Sequence, residues 1–285
     1  MEIFSKFGTF LISLALATGI AEAEEASEWD EGDFSKARLI ASHKAVPGEN
    51  GETLYIGFQV KMKEGWKTYW RTPGSAGLPP VFNWQGSVNL GLAEIKYPAP
   101  ERFEIFDLQT YGYPDEVIYP IKIAPAVPDA PITLNAEINY LVCKDLCVPA
   151  VANLTLTIPA AKGEAPFSLF IGVIETYLAK VPKSEGRQVE VSELKLLGPA
   201  GIQNLVFRLK GQNLMTGADI IVEDLENFKF GIPKRRVLTA SNEAEFVIPI
   251  SAIGAEKNIA GQKVVVTLMD GWGNLDEREF ILNQE

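Results

Sequence analysis

Residues 132–158 read ITLNAEINYLVCKDLCVPAVANLTLTI, and their pattern is the strongest indication of the fold in this chain. Apolar side chains occupy every second position from Ile132 to Val142, and again from Leu154 to Ile158. Such alternation is typical of β-strands that bury one face, because successive side chains point to opposite sides of a sheet. The stretch therefore predicts two antiparallel strands joined by a short turn at residues 144–146.

The same alternation predicts how the two strands pair. Placing Leu134 opposite Leu156 brings the apolar side chains together, so that partner numbers sum to 290. This register puts Cys143 opposite Cys147, whereas residues four apart in one continuous strand lie about 13 Å apart. Opposed residues have Cα separations of about 4.5 or 5.5 Å, within the range of about 4.4–6.8 Å that a disulfide accepts. Both cysteines share the parity of the polar positions, so we expect both sulfurs to be accessible.

The first 23 residues have the pattern of a secretory signal peptide. Lys6 precedes an apolar run over residues 7–17, and Ala21-Glu22-Ala23 fits a small-x-small cleavage site. The run is shorter than the roughly 20 residues that a membrane-spanning helix needs, and no later segment approaches that length. Residues 1–23 are therefore predicted to be cleaved on export, with an uncleaved anchor as the alternative. We expect the product outside the cytoplasm, where disulfides persist.

Charge and histidine content narrow the possible functions. The formal net charge is −11, and it is about −10 without residues 1–23. Surfaces that bind nucleic acid or anionic lipid are basic, so we expect no nucleic-acid partner. The single histidine, His43, lies ahead of a Pro-Gly turn and is expected in an exposed loop. It provides no Ser/His/Asp or metal-hydrolase constellation.

About 260 residues follow the predicted signal, which is more than one ordinary domain and suggests two. Short alternating runs punctuated by Gly and Pro predict β-structure on both sides of a linker at residues 161–184. Within the linker, apolar residues at three- and four-residue spacing predict a helix over residues 166–180. We therefore predict an all-β chain with β-sandwich domains at residues 30–160 and 185–285, joined by a short α-helix.

Three interpretations of the cysteine pair compete. A structural staple would close a loop of five residues, which stabilises by only about 2 kcal/mol on the chain-entropy estimate. Binding of a soft metal such as Cu(I) needs further ligands, but His43 is distant in sequence. Thiol–disulfide exchange needs only an accessible pair that can form a thiolate, and we favour it. Lys144 would favour the thiolate and Asp145 would oppose it, so the sequence does not fix the thiol pKa.

Four motifs, in order along the chain, give it a resemblance to a known family. They are Gly65–Pro80 (GWKTYWRTPGSAGLPP), Tyr97–Phe103 (YPAPERF), Tyr111–Tyr113 (YGY) and Cys143–Pro149 (CKDLCVP). Together they resemble the periplasmic N-terminal domain of the thiol:disulfide interchange protein DsbD, especially the branch related to copper-sensitivity suppressor proteins. The resemblance covers residues 34–159.

The resemblance implies an immunoglobulin-like fold in which Cys143 and Cys147 form a redox-active disulfide at a strand–turn–strand edge. It implies a protein-disulfide reductase or thiol:disulfide oxidoreductase module in the periplasm that uses no cofactor and no metal. Electrons would come from a membrane-embedded donor on a separate chain and pass to oxidised periplasmic thiol proteins. The alternatives are a non-catalytic exported adaptor with a structural disulfide and a Cu(I)-binding copper-tolerance protein.

Members of this family shield the pair with an aromatic lid. The residues expected to tune or shield the pair here are Lys144, Asp145, Tyr140, Phe103, Phe106, Tyr111 and Tyr113. Trp66, Tyr69 and Trp70 are expected to be core and edge aromatics of the first sandwich, with a groove for a partner as the alternative. The best-known members space their cysteines more widely, which leaves the local turn of this chain open.

Overall fold

The structure is a computed structural model that describes residues 24–48, 53–105, 108–161, 163–184, 188–213, 215–238 and 242–283. The predicted signal peptide and Phe106 lie outside these residues. The fold is all-β and immunoglobulin-like, as predicted, with two pairs of sheets and a short helix between them. The domain limits at residues 160 and 185 remain predictions.

The strands before the helix form the first sandwich. They are β1 (Asp30–Glu31), β2 (Ser35–Ala41), β3 (Tyr55–Met62), β4 (Lys67–Gly74), β5 (Val81–Asn83), β6 (Leu90–Ile95), β7 (Glu101–Ile105), β8 (Leu108–Pro114), β9 (Glu116–Pro125), β10 (Ile132–Cys143) and β11 (Cys147–Ile158). One sheet has the order β1-β2-β3-β9-β6. The other has the order β11-β10-β4-β8-β7, with β5 also paired to β10.

The hydrophobic core of the first sandwich lies between these two sheets. Apolar residues at even positions of β10 point into it, as the alternation requires. Trp70 of β4, Phe58 of β3 and Tyr119 of β9 are among the largest side chains that are fully buried. Full burial of a side chain the size of Phe contributes about 1.5–3 kcal/mol. The core therefore determines that the odd positions of β10 and β4 face outward.

The strands after the helix form the second sandwich. They are β12 (Glu190–Leu197), β13 (Asn204–Lys210), β14 (Asp219–Val222), β15 (Phe228–Phe230), β16 (Lys234–Leu238), β17 (Glu243–Ala252), β18 (Lys263–Met269) and β19 (Leu275–Ile281). One sheet has the order β12-β13-β17-β15, with β16 also paired to β17, and the other has the order β14-β18-β19. Phe207 and Phe246 are buried in the hydrophobic core of this second sandwich, which is separate from that of the first.

The helix α1 (Ile171–Leu178) is shorter than the predicted span of residues 166–180. Its first predicted turn is extended instead, because Ser168 N–H donates to the Ser42 carbonyl and Phe167 bridges to His43. Ile174 is buried against the first sandwich. No helix in the described ranges is long and apolar enough to cross a membrane.

His43 is buried rather than in an exposed loop as predicted. It is 2% exposed, its ring lies 5.0 Å from that of Phe167, and its Nδ1 lies 2.7 Å from the Ser42 hydroxyl. The extended segment that precedes α1 covers this position, and the local sequence around His43 gives no sign of that tertiary contact.

Two arginines of the first sandwich bind carboxylates of the second. Arg71 of β4 pairs with Glu223 and Glu277. Arg102 of β7 donates to Asp219, with Nη2 2.9 Å from Oδ1. Apolar contact accompanies the ion pairs, because Ile221 of β14 is buried in the core of the first sandwich. The second sandwich is therefore attached to the strands β4 and β7.

Gly112 of β8 allows β4 and β8 to approach closely, and a Cβ atom there would lie 2.0 Å from the Thr68 carbonyl oxygen. We expect Gly112→Ala to lower the free energy of unfolding by about 1–3 kcal/mol, because backbone atoms must shift. Gly172→Ala in α1 is the matched control, since a Cβ atom there meets nothing within 4 Å. It should be neutral or stabilise by up to about 1 kcal/mol. Equal denaturation midpoints for Gly112→Ala and the parent would contradict this account.

Candidate functional site

A disulfide closes the β10–β11 hairpin. The strands pair along their whole length in the predicted register, from Ile132 opposite Ile158 to Cys143 opposite Cys147. The two cysteines are bonded, and their Cα atoms are 4.1 Å apart. The three turn residues between them are exposed, and Lys144 N–H donates to the Leu146 carbonyl at 3.1 Å. Sequence alternation therefore brings the two sulfurs together at the tip of the hairpin.

The two cysteines differ in accessibility, which corrects the expectation that both are accessible. Cys147 is exposed, but Cys143 is only 1% exposed. Cys147 lies on the outermost strand of the sheet, whereas Cys143 has β11 on one side and β4 on the other. Cys147 is therefore the more accessible of the two cysteines.

Tyr69 of β4 touches the exposed sulfur. Its hydroxyl oxygen lies 3.4 Å from Cys147 Sγ. A disulfide sulfur carries no hydrogen, so the hydroxyl is the donor. Tyr69 is 1% exposed, and burial raises the pKa of its hydroxyl. The group therefore keeps its proton at neutral pH and can donate to a thiolate at Cys147 after reduction.

A glycine turn holds the Tyr69 ring in place. Gly77 has a φ of +105°, and a Cβ atom there would lie 2.3 Å from an edge carbon of the ring. The chain between Tyr69 and Gly74 bulges out of register with β8, which lets the following turn fold over the ring. Gly77 is the residue of this turn that lies against the ring, and its positive φ suits glycine.

Lys67 lies beside the buried sulfur. It is the β4 residue paired with Cys143, so its side chain is on the same face of the sheet. It is 8% exposed, and its Nζ lies 4.3 Å from the centre of the Phe103 ring. Burial lowers the pKa of its ammonium group. Lys67 is not among the residues predicted from the sequence, although it has the same parity as Tyr69 in β4.

The structure brings only some of the predicted tuning residues to the disulfide. Phe103 is on the site face through its contact with Lys67, and Lys144 and Asp145 are exposed in the turn. Lys144 lies over Gly65, with Nζ 3.1 Å from the position of a Cβ atom. Phe106 is outside the described residues.

The three predicted tyrosines are instead in the core of the first sandwich. The Tyr140 hydroxyl contacts Ser35 Oγ at 3.0 Å, Tyr113 donates to the Pro98 carbonyl, and Tyr111 accepts from Arg102. Tyr140 and Tyr113 are one position out of phase with the residues that face the disulfide. They pack against the core face of the strands that carry the site, and they do not lie over the sulfurs.

Metal ligands are not clustered at the site. In the part of the chain that the structure describes, no group of three or more His, Cys, Asp or Glu side chains could hold a metal ion. The chemistry that these contacts support is that of sulfur: an exposed disulfide atom with a hydroxyl donor, and a buried one with a cation nearby.

Comparison with known proteins supports the resemblance seen in the motifs. Residues 36–159 match the family described as "Thiol:disulfide interchange protein DsbD, N-terminal". This confirms the predicted resemblance for the first sandwich, which is less than half of the chain. No curated protein matches the chain in sequence.

A solved structure matches both sandwiches. It is the N-terminal periplasmic domain of ScsB from Proteus mirabilis, with a TM-score of 0.72 and 21% sequence identity. The match covers 92% of this chain and 99% of that one. At this identity the likeness establishes the fold, and it extends over both sandwiches.

The contact between Tyr69 and Cys147 predicts a change in thiol pKa. In a Cys143→Ser background, we expect Tyr69→Phe to raise the pKa of the Cys147 thiol by about one to two pH units, because a hydrogen bond to a charged group is lost. The pKa would be read from the ultraviolet absorbance of the thiolate. Tyr140→Phe is the control, since it removes a hydroxyl on the opposite face. An unchanged thiol pKa in Tyr69→Phe would rule out this role.

Gly77→Ala should act on the same thiol through the tyrosine ring. Because the new methyl group displaces the ring, we expect the Cys147 thiol pKa to rise towards the value in Tyr69→Phe. Gly273→Ala is the control, since Gly273 has a φ of +102° and no atom within 4 Å of a Cβ position. It shares the backbone strain, about 1–3 kcal/mol, without touching the site. Equal thiol pKa values in the two variants would contradict the predicted displacement.

Proposed function

We propose that this protein is an exported thiol:disulfide oxidoreductase of the periplasm. It relays electrons from a membrane-embedded donor to oxidised periplasmic thiol proteins through Cys143 and Cys147. The observation that carries the proposal is the disulfide at the hairpin tip, which joins an exposed Cys147 to a buried Cys143. The match of residues 36–159 to the DsbD N-terminal family and the predicted signal peptide support it.

The exposure of Cys147 supports one order of events. A thiolate of the donor attacks Cys147 Sγ, the bond between Cys147 and Cys143 breaks, and Cys143 leaves as a thiolate. A second donor thiol then attacks the mixed disulfide and releases Cys147. The donor is oxidised to a disulfide, and the pair has gained two electrons. No cofactor takes part, because every bond that forms or breaks joins two sulfurs.

Delivery of the electrons reverses these steps on another protein. The Cys147 thiolate attacks the disulfide of an oxidised partner and forms a mixed disulfide. Cys143 then attacks Cys147 Sγ, releases the reduced partner and restores the original disulfide. The Tyr69 hydroxyl lowers the energy of the thiolate at Cys147 whenever that sulfur is free. Cys147 is thus the sulfur that meets partners, and Cys143 resolves the complex.

Single cysteine variants test this assignment. We expect Cys143→Ser to accumulate mixed disulfides with periplasmic proteins, because Cys147 remains exposed and cannot be resolved. Cys147→Ser should trap at least about tenfold less, because Cys143 is buried. Non-reducing electrophoresis after acid quenching would measure both, with the double serine variant as the background. Equal trapping by the two single variants would contradict the proposed order.

The reduction potential separates exchange from a structural staple. A dithiol/disulfide pair that exchanges with partner proteins should have a reduction potential above about −300 mV. Structural disulfides of secreted proteins typically have reduction potentials below this value. Equilibration of the parent protein with glutathione or dithiothreitol would measure the potential. A value below that limit, together with no trapped partner, would favour the non-catalytic adaptor.

A further inference from the structure

Opening the disulfide places a negative charge where water does not reach. When a thiolate attacks Cys147, the electron pair of the broken bond moves to Cys143 Sγ. Cys143 is 1% exposed, and an anion in such a position is strongly disfavoured unless a cation or a hydrogen-bond donor compensates it. The Tyr69 hydroxyl contacts Cys147, so it serves the other sulfur. Cys143 therefore needs a compensating group of its own.

The elements around Cys143 offer few charged groups. On the β11 side its partner is Cys147, and on the β4 side it is Lys67. Beyond β4, the β8 residue paired with Lys67 is the uncharged Pro114. Glu101 of β7 is on the same face but is exposed to solvent. The turn residues Lys144 and Asp145 are also exposed and opposite in sign, so water screens them.

Lys67 is the cation that is both adjacent and sheltered. Paired residues in neighbouring strands have Cβ atoms about 4.5–5.5 Å apart, so its side chain starts beside that of Cys143. Only 8% of the residue is exposed. Among the described residues no carboxylate forms an ion pair with it, and its ammonium lies instead over the Phe103 ring. An ammonium held only by an aromatic face is available to a thiolate that forms next to it.

We propose that Lys67 compensates the Cys143 thiolate when the disulfide opens. The step conserves charge and electrons: the donor thiolate becomes one half of a mixed disulfide with Cys147, and Cys143 Sγ receives the displaced electron pair. The ammonium leaves the Phe103 ring and binds this sulfur. In the reverse direction the thiolate attacks Cys147 Sγ, and the ammonium returns to the ring. This inference rests on the proposed exchange function, which supplies the thiol partner.

The two thiols are then tuned by different groups. Tyr69 acts on the exposed Cys147 through a neutral donor, and Lys67 acts on the buried Cys143 through a charge. A full opposite charge favours a thiolate more than a neutral hydrogen bond does, so Lys67 offsets the cost of placing a charge on the buried Cys143. A better leaving group at Cys143 speeds the attack of the donor on Cys147.

The test measures the thiol pKa of Cys143 in a Cys147→Ser background by thiolate absorbance. We expect Lys67→Met, which keeps most of the side-chain volume, to raise this pKa by at least about one pH unit. Lys67→Arg should keep it close to the parent value, because the charge is retained. Lys144→Met is the control, since it removes an exposed lysine from the adjacent turn. Near-ultraviolet circular dichroism would verify that each variant is folded.

Either of two results would overturn the inference. One is a Cys143 pKa that is the same in the parent and in folded Lys67→Met. The other is an equal rise in Lys67→Arg or in Lys144→Met, which would mean that packing or long-range charge is responsible. If Lys67→Met does not fold, the comparison of Lys67→Arg with Lys67→Gln decides in the same way.

The experiment is independent of partner proteins. It titrates a single thiol, so a rise in pKa supports the role of Lys67 even if no mixed disulfide is ever trapped. In that case the proposed exchange function fails and the electrostatic pairing stands. Conversely, efficient trapping through Cys147 with an unchanged Cys143 pKa would keep the exchange function and remove Lys67 from it.

Discussion

The register in which β10 and β11 pair controls both the core and the sulfur site. Side chains alternate along each strand, so the register that opposes Leu134 to Leu156 also opposes Cys143 to Cys147. A slip of one residue would turn the whole apolar set towards solvent and separate the two sulfurs. Hydrophobic burial therefore holds the cysteines together before any bond forms between them. The disulfide adds little to a fold that is already specified by two buried cores.

Strand β4 connects this hairpin to the rest of the site because one of its faces packs in the core and the other contacts the disulfide. Trp70 points into the core and fixes the position of the strand, while Lys67 and Tyr69 point outward beneath the disulfide. A buried lysine and a buried tyrosine hydroxyl both cost free energy on folding. The motif retains them next to two sulfurs that can each acquire a negative charge, which is where such groups are useful.

Local patterns in the sequence predicted the hairpin register, the turn and the all-β fold, because these depend on neighbours along the chain. The burial of Cys143 was not predicted because it depends on β4 lying next to β10. The alternation of apolar residues along one strand does not indicate which strands are neighbours in the sheet. For the same reason Tyr69 was assigned to the core or an edge. Tyr111, Tyr113 and Tyr140 are expected to tune or shield the pair, but their side chains lie in the core of the first sandwich. The start of α1 was missed because a tertiary bridge to His43 competes with the helical pattern.

The ion pairs between the sandwiches limit how the protein can be divided for experimental work. Arg71 follows Tyr69 by two residues, and its carboxylate partners Glu223 and Glu277 belong to the second sandwich. A fragment that ends after β11 would leave this guanidinium and that of Arg102 without their carboxylate partners. It would also expose the apolar surface that Ile221 covers. We expect such an excised fragment to need polar replacements on that surface to remain soluble, so the proposed thiol–disulfide exchange is best assayed on a chain that retains both sandwiches.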